Sequence, residues 1–147
     1  MKPIHFYIIF FAVIISFSGC STGKTALKKG DYYEATIQAV KRLRSNPESK
    51  SALSIIKQSY PMALDFYRQK VEQMTISNTP DKFLNIADNY RKLNTLADEI
   101  SRCPAALDAV KPVTYFHDQL RKAEELAVDE QYEYGITLLK SGNMEDA

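Results

Sequence analysis

The sequence predicts an all-α fold, on three observations. Only 5 of the 147 residues are glycine, β-branched residues do not alternate with polar ones, and apolar residues recur at spacings of three and four. Turns marked by proline or glycine separate the periodic segments. We therefore expect antiparallel helical hairpins, arranged either as a solenoid or as an irregular helical bundle.

A short apolar run precedes the helical part of the chain. It spans residues 6–17, carries no charge and follows the single positive charge of Lys2. These 12 residues are too few for a membrane-spanning helix, which needs about 20. A basic start, an apolar core and small residues at the end are typical of a secretory signal peptide. We expect residues 1–19 to be a signal-peptide helix that is cleaved off.

The apolar run ends in Phe17-Ser18-Gly19-Cys20. This sequence resembles the lipobox of bacterial lipoproteins, although Phe17 stands where that family more often has an aliphatic residue. The resemblance implies cleavage between Gly19 and Cys20 and acylation of Cys20. Two or three acyl chains anchor a protein stably, and no other cofactor is expected. A cleaved signal peptide without a lipid is the alternative.

The resemblance to bacterial lipoproteins also implies a location. Ser21 is not the Asp that retains enteric lipoproteins in the inner membrane, which indicates the outer membrane. The residues after Cys20 lack the acidic run that marks surface export in some Bacteroidetes lipoproteins, which favours the periplasmic face. We therefore expect contact with the membrane through the lipid anchor.

Composition excludes several classes of function. The chain has 19 Lys and Arg against 18 Asp and Glu, and the two signs balance once Lys2 leaves with the signal peptide. Because phosphate binding requires a basic excess on one face, nucleic acid is not an expected partner. The residues that remain after cleavage suffice for one domain.

The sequence contains no recognisable catalytic or metal-binding motif. His117 is the only histidine after the signal peptide and has no second His or Cys at ligand spacing, so no metal site is expected. Phosphate-binding loops and nucleophile elbows are absent, so we expect no enzyme. Cys103 is expected to be a small buried residue at a helix end, the alternative being a redox or intermolecular thiol.

The first two helices follow a flexible leader, which we place at residues 20–24. A helix at residues 25–29 is closed by Gly30. Asp31 is the expected N-cap of the second helix, with Glu34 completing a capping box. That helix extends to about residue 44, and Pro47 ends it because proline has no backbone amide to donate.

The third helical segment, residues 48–73, contains Pro61. A proline inside a helix kinks or divides it, and we favour two helices with Ser59 capping the second. The next helix has the clearest start signal, with Thr79 as N-cap and Pro80 at the first helical position. Its predicted core stripe is Phe83, Ile86, Ala87, Tyr90, Leu93, Leu96, Ala97 and Ile100.

Two further segments complete the chain. Pro104 ends the fourth long segment, residues 105–110 add a short turn or helix, and Pro112 opens a final segment that extends to about residue 141. The charged pair Asp129-Glu130 leaves open a division of this segment into two helices. One of its faces carries Phe116, Leu120, Ala123, Ala127, Gln131, Tyr134 and Leu138.

Two segments, residues 27–35 and 139–147, resemble the central turn of tetratricopeptide (TPR) repeats. In that family a small residue on the first helix lets the second approach, Gly relieves the turn, and a bulky residue and an Ala pack the crossing. The first copy has Gly30, Tyr32, Ala35 and Pro47 at the family's spacing. The second copy has Tyr134, Gly135, Leu138, Gly142, Met144 and Ala147.

The two copies also depart from the TPR family. Ala39 stands where a large aromatic residue is expected, Arg42 where a small one is expected, and Gln131 where Trp is usual. The copies are not separated by a multiple of about 34 residues. Generic helical hairpins that share a glycine turn are therefore the alternative.

The second copy reaches Ala147 directly after its turn. We therefore expect the TPR-like domain, residues 25–147, to be cut off within its last hairpin; the alternative is a last helix that docks alone. If the hairpin is cut off, Tyr134, Leu138 and Met144 should be partly exposed.

These patterns together favour a non-enzymatic protein. We expect a membrane-anchored, TPR-like scaffold whose groove binds another envelope protein. The alternative is a cell-wall or glycan-binding lipoprotein, in which an exposed ring stacks on sugars. The candidate rings are Tyr32, Tyr33, Tyr115 and Tyr132.

Overall fold

A computed structural model describes residues 23–79 and 81–141 of the chain. These residues form helices and no strand, which confirms the predicted all-α class. The helices are α1 (Lys24–Lys28), α2 (Tyr32–Ser45), α3 (Lys50–Ile76), α4 (Lys82–Ser101), α5 (Pro104–Val110) and α6 (His117–Ser141).

Helices α2 and α3 run antiparallel. The ring of Tyr32, at the start of α2, lies 5.9 Å from the ring of Phe66, late in α3. Further along α2, the Thr36 hydroxyl lies 2.8 Å from that of Ser59, earlier in α3. The short turn between these helices therefore forms a hairpin, as predicted.

The main core lies between α2, α3 and the C-terminal part of α4, and α1 and α5 close its edges. Leu43, Ile56, Leu96 and Ile100 are fully buried there. The Cys103 side chain, between α4 and α5, is buried in the same cluster, which confirms the expected burial of this thiol.

The turn between α1 and α2 is built by Gly30 and Asp31. Gly30 has a φ of +78°, and the Asp31 amide donates to the Ala26 carbonyl at 3.0 Å. The Asp31 side chain accepts a hydrogen bond from the Glu34 amide, which confirms Asp31 as the N-cap. The second hydrogen bond of the predicted capping box, from the Asp31 amide to the Glu34 side chain, does not form. The Glu34 carboxylate accepts from the Gln38 side chain instead.

Gly23 brings the start of the described chain against α2. Its φ is +84°, and a Cβ added to it would lie 2.4 Å from the carbonyl oxygen of Ala35. Gly23 is buried and Lys24 begins α1. Gly23 and Lys24 are therefore part of the folded body, and the flexible leader predicted for residues 20–24 is wrong at these two positions. Residues 20–22 lie outside the described part.

Helix α3 is one continuous helix, so the predicted division at Pro61 is wrong. The ring of Pro61 faces solvent, as does Lys57, whose carbonyl loses its intrahelical amide partner. Water can bond to an exposed carbonyl, so the proline is tolerated. Ser59 caps no helix; it is buried against α2, beside Thr36.

The predicted start of α4 is also wrong. The helix begins at Lys82, and Asp81 occupies the N-cap position with a φ of +60° and without a side-chain cap. The Thr79 hydroxyl lies 3.1 Å from that of Ser77 rather than at a helix amide, and Pro80 lies outside the described residues. The predicted core stripe of α4 is correct, since six of its eight residues are buried and Phe83 and Tyr90 are half-buried.

Helix α6 begins at His117, later than predicted, and continues through Asp129 and Glu130 without division. The Lys111-Pro112 peptide bond is cis, and residues 113–116 form an irregular connection. Pro112 therefore precedes this connection rather than opening the helix.

Candidate binding groove

A groove runs between α3 and α6, with α4 as its floor. Both helices pack against α4 but not against each other, and within the described residues α4 is the one helix that α6 contacts. The side chain of Asn94, late in α4, lies beside that of His117 at the start of α6, so these two helices are antiparallel. The side of α4 that lies between its two neighbours therefore faces the groove.

The groove consists of two adjoining clefts of about 510 and 370 Å³. These volumes are in the range of ligand pockets. Val71, Tyr90 and Gln119 line both clefts. The larger cleft is also lined by Asp65, Arg68, Gln69, Glu72 and Phe116, and the smaller by Thr75, Phe83, Ile86, Lys122, Ala123 and Leu126.

The floor of the groove is a row of apolar side chains on α4. Phe83, Ile86 and Tyr90 follow one another at spacings of three and four, which places them on one side of the helix. A helical ligand presents its apolar side chains at the same spacing. The row can therefore pack along the axis of an added helix.

Two side chains fix Phe116 at one end of the groove. The Phe116 amide donates to Oδ1 of buried Asn94 at 2.7 Å, and the Thr114 amide donates to the Tyr60 hydroxyl at 3.1 Å. Both bonds satisfy backbone amides of the irregular connection before α6. The Phe116 ring is consequently buried beside Leu93.

Aromatic rings and a cation lie together at this end. The rings of Tyr90 and Phe116 are stacked, with centroids 5.8 Å apart, and the Arg68 guanidinium lies 5.7 Å from the Phe116 centroid. Burial raises the pKa of Tyr90, and the nearby charge of Arg68 opposes this rise. Tyr90 is therefore a neutral phenol at neutral pH, and the wall combines apolar rings with one cation.

Glu130 fixes α6 to the start of α4. Its Oε2 accepts a hydrogen bond from the Phe83 amide at 3.1 Å, and the neighbouring Gln131 side chain donates to Asp81 at 2.5 Å. The first amides of a helix have no intrahelical partner, and a negative charge is favourable there. Glu130 therefore supplies the cap that sequence reasoning assigned to Thr79.

The two rims of the groove carry different charges. The α3 rim has the guanidinium group of Arg68 between the carboxylates of Asp65 and Glu72, and the α6 rim has the ammonium group of Lys122. All four side chains are exposed. A ligand in the groove thus meets a mixed but net negative rim on α3 and a positive group on α6.

The first TPR-like copy lies away from this groove. Gly30 forms the α1–α2 turn, Tyr32 begins α2, Ala35 is buried within it, and Pro47 follows its end. These four residues shape the packing of the N-terminal helices. A binding groove was expected from the sequence, but none of the residues that line it was predicted to do so.

The second TPR-like copy lies at the end of α6. Tyr134 is 55% exposed and Leu138 is partly exposed, as predicted. A Cβ added at Gly135 would meet nothing within 4 Å. The other predicted site residues, Gly19, Cys20, Gly142, Met144 and Ala147, lie outside the described residues, so the lipobox and the cut-off hairpin stay predictions.

The four tyrosines considered for sugar stacking differ in exposure. Tyr32 and Tyr33 are half-buried, whereas Tyr115 and Tyr132 are exposed. The Tyr115 ring is stacked on the ring of His117 at a centroid distance of 5.0 Å. Two of the four rings are therefore placed to meet a ligand.

Residues 23–79 and 81–141 contain no group of three or more His, Cys, Asp or Glu side chains that could hold a metal ion. Within the same ranges, no helix has the length and apolar character needed to cross a membrane. Comparisons with protein families, with curated proteins and with solved structures found no match for this chain.

Proposed function

We propose that this protein is a lipid-anchored, non-enzymatic scaffold of the bacterial cell envelope, with a TPR-like helical architecture. The groove between α3 and α6 is its binding surface, and its ligand is a helical segment of another envelope protein. Acyl chains on Cys20 hold the protein at the periplasmic face of the outer membrane.

The proposal is carried by the apolar row that α4 presents to the groove. Phe83 and Tyr90 are only half-buried, although they belong to a stripe whose other members are enclosed. Burying apolar surface contributes about 25 cal/mol per Å². Binding of a ligand helix that covers this row is therefore favourable along the whole contact.

The dimensions and charges of the groove specify this ligand further. Its α3 wall extends from Asp65 to Thr75, which is about 15 Å at 1.5 Å per residue. An amphipathic helix of about ten residues matches this length. Basic side chains on one edge of the ligand would face Asp65 and Glu72, and an acidic one on the other would face Lys122.

The lipid anchor supports the same function by its effect on concentration. Tethering two proteins to one membrane turns their encounter into an almost intramolecular event, which strengthens a weak contact without new interactions. The support for the anchor is the resemblance of the sequence ending at Cys20 to a lipobox.

Substitution of one exposed threonine tests the groove. Thr75→Arg places a long charged side chain at the mouth of the groove. Thr95→Arg is a matched control, because Thr95 is also exposed and its hydroxyl, like that of Thr75, donates to the carbonyl four residues earlier. We expect in-cell cross-linking and affinity purification from solubilised envelopes to recover a stoichiometric partner with the parent and Thr95→Arg, but not with Thr75→Arg. Equal recovery with both variants would remove the groove from the proposal.

The anchor is tested by Cys20→Ala. We expect the substituted protein to leave the membrane fraction and to recover less of the partner, whereas groove variants stay membrane-bound. Membrane association that is unchanged in Cys20→Ala would contradict lipidation and leave the groove result standing.

Glycan binding is a second candidate function, favoured by the exposed stack of Tyr115 on His117. Flat aromatic faces are suited to contact the apolar faces of sugars. On this alternative, purified peptidoglycan retains the protein, Tyr115→Ala abolishes retention, and Thr75→Arg has no effect. Absence of retention on peptidoglycan would eliminate it.

A further inference from the structure

The side of α6 that faces away from α4 changes in character at Val128. Before this position it carries Arg121 and Glu125, which form an ion pair at 3.0 Å. From there on, spacings of four, three and four place an apolar row on the same side of the helix. We name this row the α6 stripe; it consists of Val128, Tyr132, Gly135 and Leu139.

The large side chains of the α6 stripe are strongly exposed. Val128 is 69%, Tyr132 67% and Leu139 52% accessible to solvent. Isolated exposed apolar residues are common on proteins, but a contiguous row of them marks an interaction surface. The α6 stripe is therefore a surface on which a binding partner packs.

Gly135 indicates that this occupant approaches closely. Glycine is less favourable than alanine inside a helix. A Cβ at Gly135 would meet nothing within 4 Å, so no described neighbour requires its absence. A glycine within an apolar row instead permits the close approach of another backbone.

Charges beside the stripe identify the occupant as a second copy of the chain. Asp129 and Lys140 are exposed and lie on the same flank of the stripe, six residues before and five residues after Gly135. Two copies that cross antiparallel at Gly135 bring Asp129 of each copy to Lys140 of the other. In a parallel two-fold pair the same flanks lie on opposite edges of the contact, so Asp129 would meet no Lys140, and the charge pattern favours the antiparallel arrangement.

We propose that the α6 stripe is a self-association surface, through which two copies pair antiparallel across Gly135. The same patch serves both copies, as in a closed two-fold dimer. The α6 side chains of the groove, from Gln119 to Leu126, all precede the stripe along the helix. Pairing therefore leaves the groove of each copy accessible, and the inference does not rest on the proposed function.

Disulfide cross-linking of the full chain in intact cells tests the pairing. In Asp129→Cys/Lys140→Cys, the two new thiols of one copy are about 16 Å apart along the helix, too far to bridge within the chain. Across an antiparallel pair each thiol lies next to the other type. We expect copper–phenanthroline to convert this double variant to dimers on a non-reducing gel.

The single variants are the matched controls. Asp129→Cys alone and Lys140→Cys alone place identical thiols about 15 Å or more apart in an antiparallel pair, so neither should cross-link. Dimers from Asp129→Cys alone would indicate a different arrangement of the two copies and overturn the proposal. Absence of dimers from the double variant would overturn it as well.

Two substitutions in the double-cysteine background separate pairing from folding. We expect Leu139→Glu to abolish the dimer band, whereas Leu84→Glu, at a comparably exposed leucine of α4, leaves it unchanged. Gly135→Ala should reduce the dimer band while the thermal midpoint of the monomer stays equal or rises, since alanine favours the helix. A dimer band that is unchanged in Gly135→Ala and Leu139→Glu would contradict a pair that crosses on the stripe.

Discussion

Helices α2 and α6 show the two extremes of packing in this molecule. Four helices, α1, α3, α4 and α5, enclose α2, whereas α6 contacts α4 alone among the described helices. The inward residues Ala35, Ala39, Val40 and Leu43 of α2 are completely buried. On α6, the buried side chains are two alanines, Ala123 and Ala127.

The difference shows where stability and binding surface reside. Apolar burial is greatest around α2, so the free energy of folding is concentrated there. Helix α6 packs on α4 through the small side chains of Ala123 and Ala127 and is fixed by polar bonds just before its start and at its middle, those of Asn94 and Glu130. A helix attached on one side has its other sides available to partners, and both proposed binding surfaces include α6.

The comparison predicts its largest contrast for two leucines. Leu43→Ala in α2 should lower the free energy of unfolding by about 3–5 kcal/mol, because its neighbours cannot close the cavity. Leu126→Ala in α6 removes a half-buried side chain and should cost less than about 2 kcal/mol. Urea unfolding of both variants measures the difference. Equal costs would refute the uneven distribution of stability.

Gly23→Ala tests the enclosure of α2 at its N-terminal side. The new Cβ would lie 2.4 Å from the Ala35 carbonyl oxygen, at a residue with positive φ. Overpacking and left-handed strain together should cost about 2–4 kcal/mol in thermal or urea unfolding. Gly30→Ala is the control: its φ is also positive, but a Cβ there meets nothing within 4 Å, so only the strain of about 1–2 kcal/mol remains. If both variants lose the same stability, the close approach at Gly23 has no energetic effect.

Asn94→Ala tests how α6 is attached. Removal of the amide leaves the buried Phe116 N–H without its acceptor, which should cost about 1–3 kcal/mol. Asn89→Ala serves for comparison, because the side chain of buried Asn89 acts as a donor, to the Asn85 carbonyl of its own helix and to the Met74 sulfur of α3. Chemical denaturation should therefore give the larger loss for Asn94→Ala. The reverse order would show that the attachment of α6 does not depend on this bond.

The smallest predicted effect is on the pH dependence of the free energy of unfolding, through buried Tyr67. Burial, followed by the charge of Asp31, raises the pKa of Tyr67 above 10.0. A raised pKa in the folded state means that the unfolded chain loses this proton first, so stability falls as the pH rises above about 10. Tyr67→Phe should reduce that fall by less than about 1.4 kcal/mol per pH unit. The measurement is urea unfolding at pH 9 and 10.5; an unchanged pH dependence would exclude a contribution of Tyr67.

The sequence predicts the local features of this fold well. Gly30 and Asp31 mark the first turn correctly, because a glycine of positive φ and an N-cap act through neighbouring residues. The apolar stripe of α4 is likewise correct, since helical periodicity reports which side is buried. These signals depend on positions only a few residues apart.

The errors arise where a distant residue replaces a local one. Thr79 and Pro80 form a good start signal, but Glu130 caps the helix from 47 residues away. A proline such as Pro61 normally divides a helix. Here α3 stays continuous because Pro61 lies on the exposed side of the helix, where water can bond to the free carbonyl, and because Ser59 is buried against α2. The groove also depends on contacts between distant residues, because Asn94, Tyr60 and Glu130 place α6 beside α4. No local pattern in the sequence indicates these three contacts.

The burial of Gly23 sets the distance between the folded body and the proposed lipid. Ser21 and Thr22 separate Cys20 from Gly23, a span of at most about 11 Å. With so short a connection, a lipid on Cys20 would keep the helical body close to the bilayer. The end of the molecule with α1 would face the lipid headgroups, so a partner that the protein captures would be held within a thin layer at the membrane surface.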